Sequence, residues 1–193
     1  MQGLMMNAPL TISSIVHHAE RVHGHKEIVS VTRDNPRHRY TYGQAFGRAR
    51  QLANAIDRWN LSLGDRIATF AWNDYRHLET YYASACSGYV CHTINPRLFP
   101  EQIVYIINHA DDQWVFLDPD FWPIVEAVAD QCPGVKGWVI MTVPEHMPET
   151  ERDNVLCYEA LIAEESREFD WPELDENTAC SLCYTSGTTG NPK

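Results

Sequence analysis

The sequence predicts an α/β fold in which helices flank a mostly parallel sheet, with a short pair of β-strands near the N-terminus. Two observations support this prediction. Short runs of β-branched and aromatic residues alternate with stretches of helical periodicity, and each run has the length of one strand. Strands that alternate with helices form right-handed βαβ units, whose helices cover both faces of a parallel sheet. No internal repeat, low-complexity tract or clear domain boundary interrupts the 193 residues.

The first predicted elements are two strands, at residues 27–32 and 39–42, which are joined by a polar turn at 34–36. Thr41 and Gln44 match a capping box, so a helix is predicted to begin there. Apolar residues recur at helical spacing on one face of this helix: Ala45, Ala49, Leu52, Ala53 and Ile56. This face is therefore expected to be buried.

Four further strands alternate with three further helices up to residue 142. Gly64 ends the connection before the first strand, and Gly88 ends the helix before the second. Asp74 can cap that helix, and Pro100 begins the next one, where a missing N–H costs nothing. The strands are predicted at residues 66–71, 90–94, 114–118 and 138–142. The three helices are expected to bury Leu78, Tyr81, Tyr82 and Ala85; Ile103, Ile106, Ile107 and Ala110; and Phe121, Ile124, Val125 and Val128.

The part of the chain after residue 142 is predicted to be less regular. Residues 144–155 are rich in proline and glutamate, which indicates a surface excursion. A short helix is predicted around residues 158–163, and an acidic connection follows over 164–176. The last predicted element is a buried strand over 178–184.

The composition excludes several kinds of partner. The chain carries 15 Lys plus Arg and 26 Asp plus Glu, which gives a net charge of −11, and it has no basic cluster. Such a chain offers no electrostatic surface for nucleic acid and no polybasic patch for anionic lipids. The N-terminus lacks the features of a signal peptide, and no apolar run approaches the roughly 18 residues of a membrane span. The sequence therefore predicts a cytoplasmic protein without nucleic-acid or membrane partners.

Several potential metal or redox ligands are interpreted as structural. Cys180 and Cys183 match a CxxC pattern, which could form a redox pair or half of a zinc site. No second such pair follows, so we favour two buried thiols on opposite faces of a strand. Four histidines could form a metal cluster, but exposed polar positions on or after an N-terminal helix are favoured: His17, His18, His23 and His25. Two histidines among apolar residues and two aspartates at a helix end are also expected to be structural: His92, His109, Asp111 and Asp112.

The segment that carries chemistry is formed by residues 184–193, which read Tyr-Thr-Ser-Gly-Thr-Thr-Gly-Asn-Pro-Lys. It follows a predicted strand, and parallel sheets bind ligands at the carboxyl ends of their strands. Gly187 and Gly190 allow successive backbone N–H groups to face one anion, and nearby hydroxyls can donate to phosphate oxygens. Lys193 adds a cation. The spacing matches neither a Walker A loop nor a G-x-G-x-x-G dinucleotide fingerprint.

This segment resembles the phosphate-binding signature of the adenylate-forming enzymes, which include acyl-CoA synthetases, adenylation domains of peptide synthetases and firefly-type luciferases. Residues 39–42 with the helix after them, and residues 64–68, are similar to other segments of the family. Residues 90–100 and 103–109 resemble the fatty-acyl-CoA synthetase branch, and within it the medium-chain and methylmercaptopropionate-type bacterial ligases. The resemblance covers nearly the whole chain.

The resemblance implies a two-step ligase reaction that uses ATP, Mg²⁺ and coenzyme A. A carboxylic acid first forms an acyl adenylate, and coenzyme A then displaces AMP to give a thioester. The residues that match the signature are implied to bind phosphate: Thr185, Ser186, Gly187, Thr188, Thr189, Gly190 and Lys193. Thr185 is also implied to help hold Mg²⁺. The resemblance leaves a homodimer open and places no catalytic residue within the chain.

By the same resemblance, residues 1–193 are a partial N-terminal AMP-binding domain with a phosphate-binding loop at 184–193. The remainder of the N-terminal domain and the whole C-terminal domain are absent, so this N-terminal fragment is predicted to be inactive alone. Two alternatives stay open. One is an amino-acid-activating adenylation domain, against which residues 95–100 argue, and the other is a stand-alone, non-catalytic βα binding module.

Overall fold

The computed structural model describes Gly3 and residues 6–185. Helix α1 (Ile12–His23) is followed by the antiparallel strands β1 (Glu27–Ser30) and β2 (His38–Thr41). The later strands of the described chain form a six-stranded parallel sheet: β3 (Arg66–Phe70), β4 (Val90–Thr93), β5 (Asp112–Leu117), β6 (Gly137–Ile140), β7 (Val155–Cys157) and β8 (Ser181–Cys183). The helices between these elements are α2 (Tyr42–Asp57), α3 (Tyr75–Cys86), α4 (Pro100–Ala110), α5 (Trp122–Val128) and α6 (Tyr158–Ile162). The predicted α/β class and the N-terminal strand pair are confirmed.

The strand order of the described sheet is β7-β6-β5-β3-β4-β8, and every neighbouring pair is parallel. The connection from β3 to β4 runs toward one edge of the sheet. The connections from β4 to β5 and onward to β7 run toward the other edge. The direction therefore reverses between β3 and β5, and the carboxyl ends of these strands form a topological switch point. Open α/β sheets bind ligands in a crevice at such a point.

Helices cover both faces of the sheet, and each face has its own core. Helices α4 and α5 pack on one face around Ile106, Val125 and Trp138. Helices α2, α3 and α6 pack on the other face, where Leu52 and Tyr158 are fully buried. The central strands are therefore screened from water on both sides, as is usual for parallel sheets.

Local signals in the sequence predict several helix ends correctly. Thr41 and Gln44 form the capping box that begins α2. Asp74 caps α3 by accepting a hydrogen bond from a backbone N–H of its first turn. Gly64 and Gly88 both adopt φ of 85°, a left-handed conformation that favours glycine. The predicted apolar faces of α2 and α4 are buried throughout.

The prediction for the buried face of α3 is wrong. Of the four residues expected there, only Ala85 is buried, while Leu78, Tyr81 and Tyr82 are partly exposed. Polar and charged side chains on α3 are buried instead: Arg76, Glu79, Thr80 and Ser84. Hydrophobic periodicity detects only apolar faces, whereas these charges are buried because other charges pair with them.

Three expectations about exposure also need correction. The expected surface excursion over 144–155 leads into an unpredicted strand, β7 (Val155–Cys157), which extends the sheet beside β6. The last strand is shorter than predicted and is not buried, since Ser181 and Cys183 are exposed. Within the described chain β8 pairs only with β4, so it lies at an edge of the sheet. Ile124 is 37% exposed, because α5 packs through Val125 and its neighbours on the opposite side.

The cysteine and histidine interpretations have mixed outcomes. Cys183 is exposed and Cys180 is half-buried, so the expectation of two buried thiols is wrong. His17, His18 and His25 are exposed, as predicted, whereas His23 is half-buried. In the part of the chain that the structure describes, no three His, Cys, Asp or Glu side chains are grouped so that they could hold a metal ion. No helix in that part is long and apolar enough to cross a bilayer.

Candidate functional site

The predicted phosphate-binding segment begins at the carboxyl end of β8. This strand runs parallel to β4, with Cys183 beside Thr93, so Tyr184 and Thr185 follow at the ligand-binding edge of the sheet. Thr185 is exposed. The other residues predicted to bind phosphate lie outside the described residues: Ser186, Gly187, Thr188, Thr189, Gly190 and Lys193. The structure therefore gives the origin of the segment, and the arrangement of its donors stays a prediction.

Tyr184 contacts two histidines. Its phenol oxygen lies 2.6 Å from Nδ1 of His109, which is in the last turn of α4. Its ring centroid lies 5.2 Å from that of His92 on β4, and Tyr105 stacks on His109. His109 is exposed, contrary to the expectation that it sits among apolar residues, but its bond to Tyr184 gives it a structural role.

His92 and Asp112 form a buried pair next to Tyr184. Nδ1 of His92 lies 2.8 and 2.9 Å from the two carboxylate oxygens of Asp112, and neither residue is more than 1% exposed. An ionised carboxylate only accepts hydrogen bonds, so the proton of this bond sits on Nδ1. Burial raises the pKa of Asp112, and the hydrogen bond from His92 opposes that rise. Asp112 is the buried first residue of β5, so the expectation that it lies in a loop at a helix end is wrong.

A cleft of about 820 Å³ lies at the carboxyl ends of β3, β5 and β6, where the topological switch point predicts a ligand crevice. The turn between β1 and β2 forms one wall, and the segments that follow the three strands form the others. Its lining includes Asp34, Trp72, Arg76, Asp118, Thr142 and Met147. Charged, aromatic and apolar side chains thus face one space.

Asp118 ties two strand ends together within this cleft. It directly follows β5, is 8% exposed and accepts a 2.5 Å hydrogen bond from the backbone N–H of Trp72, which follows β3. Burial raises the pKa of Asp118 to about 7, against the effect of the Trp72 N–H, and the charges of Asp74 and Asp120 add to the rise. Asp118 can therefore hold or release a proton near neutral pH.

A network of buried ions supports the wall of the cleft. Arg76 is 2% exposed, and its guanidinium donates to Asp34 at 2.7 Å and to Glu159 at 2.8 Å. Asp34 belongs to the turn between β1 and β2, and Glu159 belongs to α6. One arginine therefore holds the hairpin turn against the main sheet.

Arg48 extends this network into the interior. It donates to Glu79 at 2.8 Å and to Glu159 at 3.0 Å, and the hydroxyl of Tyr158 donates to Glu79 at 2.7 Å. Burial raises the pKa of Glu79 to about 7 despite Arg48 and Tyr158. Burial would also raise the pKa of Glu159, but Arg48 and Arg76 together hold it below its usual value. The negative charge of Glu159, which lies between two arginines, is thus more strongly stabilised than that of Glu79.

Sequence reasoning missed the cleft and its ionic support, although two signals were present. Asp118 is the last residue of a predicted strand, and ligands of parallel sheets bind at the carboxyl ends of the strands. Arg76, Glu79 and Ala83 share one face of α3 at helical spacing. Arg76 pairs with Asp34 and Glu159, which lie far away in the chain, so no local pattern connects these residues.

Known proteins share the sequence pattern of this chain. The sequence matches the family described as AMP-binding enzyme over residues 16–193. It is 50% identical over 193 residues to 3-methylmercaptopropionyl-CoA ligase of Ruegeria lacuscaerulensis, covering 100% of this chain and 36% of that protein. It is 48% identical over 193 residues to medium-chain-fatty-acid–CoA ligase of Ectopseudomonas oleovorans, covering 100% of this chain and 35% of that protein. The chain thus spans about a third of the length of these curated relatives.

The fold is similar to solved structures of CoA ligases. The crystal structure of the anthranilate CoA ligase AuaEII in complex with anthranoyl-AMP superposes with a TM-score of 0.84 at 20% identity, over 100% of this chain and 35% of that one. The N-terminal domain of FACL13 from Mycobacterium tuberculosis superposes with a TM-score of 0.79 at 22% identity, over 95% of this chain and 43% of that one. At such identities the likeness supports the fold alone, while the family match covers nearly the whole sequence. The chain therefore belongs to the AMP-binding enzyme family.

Proposed function

We propose that the protein is an ATP-dependent acid–CoA ligase that works through an acyl adenylate. The substrate carboxylate attacks the α-phosphate of ATP and releases pyrophosphate, and the thiol of coenzyme A then displaces AMP. The observation that carries the proposal is segment 184–193, whose glycines, hydroxyls and lysine follow the held Tyr184 at the ligand-binding edge of the sheet. The two relatives at 50% and 48% identity, both named as CoA ligases, support it.

In this reaction the segment stabilises phosphate oxygens while negative charge builds on the leaving pyrophosphate. The chain has a net charge of −11, so attraction to ATP must come from local donors such as Thr185 and Lys193. Mg²⁺ commonly takes only one or two protein oxygens beside substrate phosphates, and Thr185 could supply one such oxygen. When bound, Mg²⁺ would neutralise part of the phosphate charge.

The acid substrate is proposed to be a medium-chain fatty acid or 3-methylmercaptopropionate. This choice follows the names of the two relatives quoted above. Amino-acid activation is the competing function within the family. ATP–pyrophosphate exchange measured with a series of fatty acids, 3-methylmercaptopropionate and the standard amino acids separates the two, because only the proposed acids should be activated.

The test uses both the 193-residue chain and the complete translation product of its gene. We expect the complete product to catalyse ATP–pyrophosphate exchange that depends on a carboxylic acid, and residues 1–193 alone to show none. Thr185→Val and Lys193→Met in the complete product should each raise KM for MgATP about tenfold or more, since each removes a phosphate or Mg²⁺ contact. Thr178→Val, before β8, is the matched control. Exchange by the short chain above background would contradict the predicted inactivity, and no exchange by the complete product would contradict the function.

A further inference from the structure

Strand β8 has few contacts that could hold the start of the phosphate-binding segment. It is three residues long, it pairs only with β4 among the described strands, and its Ser181 and Cys183 are exposed. Edge strands of this kind fray, because few buried contacts oppose the gain in backbone entropy. Side chains next to the end of β8 can therefore add to the contacts that hold this part of the chain.

Tyr184, directly after β8, makes such side-chain contacts. Its hydroxyl lies 2.6 Å from Nδ1 of His109 on α4, and its ring lies against His92 on β4, with the two rings tilted by 48°. The two contacts come from different elements, helix α4 and strand β4. Tyr184 is therefore held from two directions at the residue that precedes Thr185.

The ring of His92 is itself fixed by Asp112. Its Nδ1–H bonds to both carboxylate oxygens, and both residues are at most 1% exposed. Rotation of the ring would leave a carboxylate without its donor in a buried site, which is costly. The surface that His92 offers to Tyr184 is thus held in one orientation.

We propose that His92, Asp112 and His109 are positioning residues, which fix Tyr184 and thereby the origin of the phosphate-binding segment. The proposal rests on the proposed function, because it assumes that residues 185–193 bind phosphate. The three residues act through Tyr184 and contact no phosphate themselves. A donor such as Thr185 that is already in place loses less entropy on binding a ligand, so binding is tighter.

The test uses Tyr184 and His109, because His92 and Asp112 are so deeply buried that their replacement endangers the fold. Tyr184→Phe removes only the phenol oxygen. His109→Leu removes the hydrogen-bonding ring, and His109→Asn restores a polar atom near the position of Nδ1. Tyr81→Phe, at a partly exposed position on α3, is the matched control. The probes are inorganic pyrophosphate and MgATP, added to the 193-residue chain and followed by NMR chemical shifts.

We expect Tyr184→Phe and His109→Leu to weaken the binding of both probes about tenfold, which is the size of one lost hydrogen bond. His109→Asn should recover most of the affinity, and Tyr81→Phe should match the unmodified chain. The ring nitrogen signals of His109 should shift in Tyr184→Phe and stay unchanged in Tyr81→Phe. The midpoint of thermal unfolding should move by no more than about 4 °C.

The outcomes that overturn the proposal are distinct from failure of the function. If the unmodified chain binds both probes and the Tyr184 and His109 variants bind equally well, positioning is overturned and phosphate binding stands. A second outcome is a loss of affinity in the variants together with a large fall in the unfolding midpoint, with no recovery in His109→Asn. That result would assign Tyr184 and His109 a merely structural role and would also overturn the positioning proposal. If the unmodified chain binds neither probe, phosphate binding by 185–193 and the positioning role both fall.

Discussion

Two parts of the carboxyl edge of the sheet are built in opposite ways. The cleft at β3, β5 and β6 is supported by buried ions, because Arg76 joins Asp34 and Glu159 from positions 42 and 83 residues away. The origin of the phosphate-binding segment rests on a three-residue edge strand and on the hydrogen bond between Tyr184 and the exposed His109. The cleft is thus supported by buried ion pairs, whereas Tyr184 is held by partly exposed contacts beside an edge strand.

This difference separates what keeps the fold in shape from what can adapt to a ligand. A buried ion that loses its partner is left in a poorly solvated site, so the network around Arg76 tolerates little change. An edge contact that breaks exposes its groups to water, which replaces the lost hydrogen bond at small cost. The cleft wall should therefore be more rigid than the contact between Tyr184 and His109.

The largest expected effect comes from breaking the ionic support of the cleft. Arg76→Met leaves Asp34 without its arginine and Glu159 with only one, in places that are largely buried. We expect the free energy of unfolding to fall by about 3–5 kcal/mol, as for other buried pairs that lose one member. Urea denaturation followed by tryptophan fluorescence measures the change.

The matched control for this prediction is Arg33→Met in the same cleft. Arg33 pairs with Asp120 at 2.8 Å, but the two side chains are 79% and 51% exposed. Exposed pairs contribute roughly 0–1 kcal/mol, so this variant should unfold almost as the unmodified chain does. Equal effects of the two substitutions would show that the network around Arg76 is not a special support, and the contrast between the two regions would fail.

A smaller effect is expected from Asp118, whose folded pKa of about 7 lies above the ordinary value of 3.8. The folded state therefore holds this proton more tightly than the unfolded state. It follows that the free energy of unfolding falls as the pH rises between these two values. Asp118→Asn removes the titrating group and keeps an acceptor for the N–H of Trp72.

The measurement is urea unfolding of both proteins at about pH 5 and about pH 8. Relative to Asp118→Asn, the unmodified chain should lose roughly 2 kcal/mol between the two pH values. Asp153→Asn, at an exposed position, is the control and should show no such difference from the unmodified chain. A pH response of Asp118→Asn parallel to that of the unmodified chain would contradict the assignment of the proton to Asp118.

Much of the fold can be predicted from the sequence, because local signals determine it. Thr41 with Gln44, Asp74 and Pro100 begin helices as predicted, since caps satisfy backbone groups within a few residues. The position of Tyr184 after a strand is also predictable, because the strand and the motif are contiguous in the chain, while phosphate binding by the motif stays a prediction.

The rest depends on contacts between distant residues. The buried face of α3 cannot be found from hydrophobic periodicity, because Glu79 is buried through Arg48 and Tyr158, which belong to other helices. The exposure of β8 depends on which elements pack against it. A short strand of mixed polar and apolar residues has the same sequence pattern at the edge of a sheet as in its core. The contact of Tyr184 with His109 joins residues 75 positions apart, so the neighbours of Tyr184 in the sequence do not predict it.

The smallest effects come from making the same substitution in both regions. Tyr158 is fully buried, and its hydroxyl donates to the carboxylate of Glu79 at 2.7 Å, whereas the hydroxyl of Tyr184 meets the exposed His109. Tyr158→Phe leaves a buried carboxylate short of a donor and should lower the free energy of unfolding by about 1.5–3 kcal/mol. Tyr184→Phe should lower it by only about 0.5 kcal/mol, because water can reach His109. Urea titration of the two variants in parallel gives the ratio. A larger loss from Tyr184→Phe than from Tyr158→Phe would reverse the comparison, since the margin of the sheet would then contribute more to stability than its ionic interior.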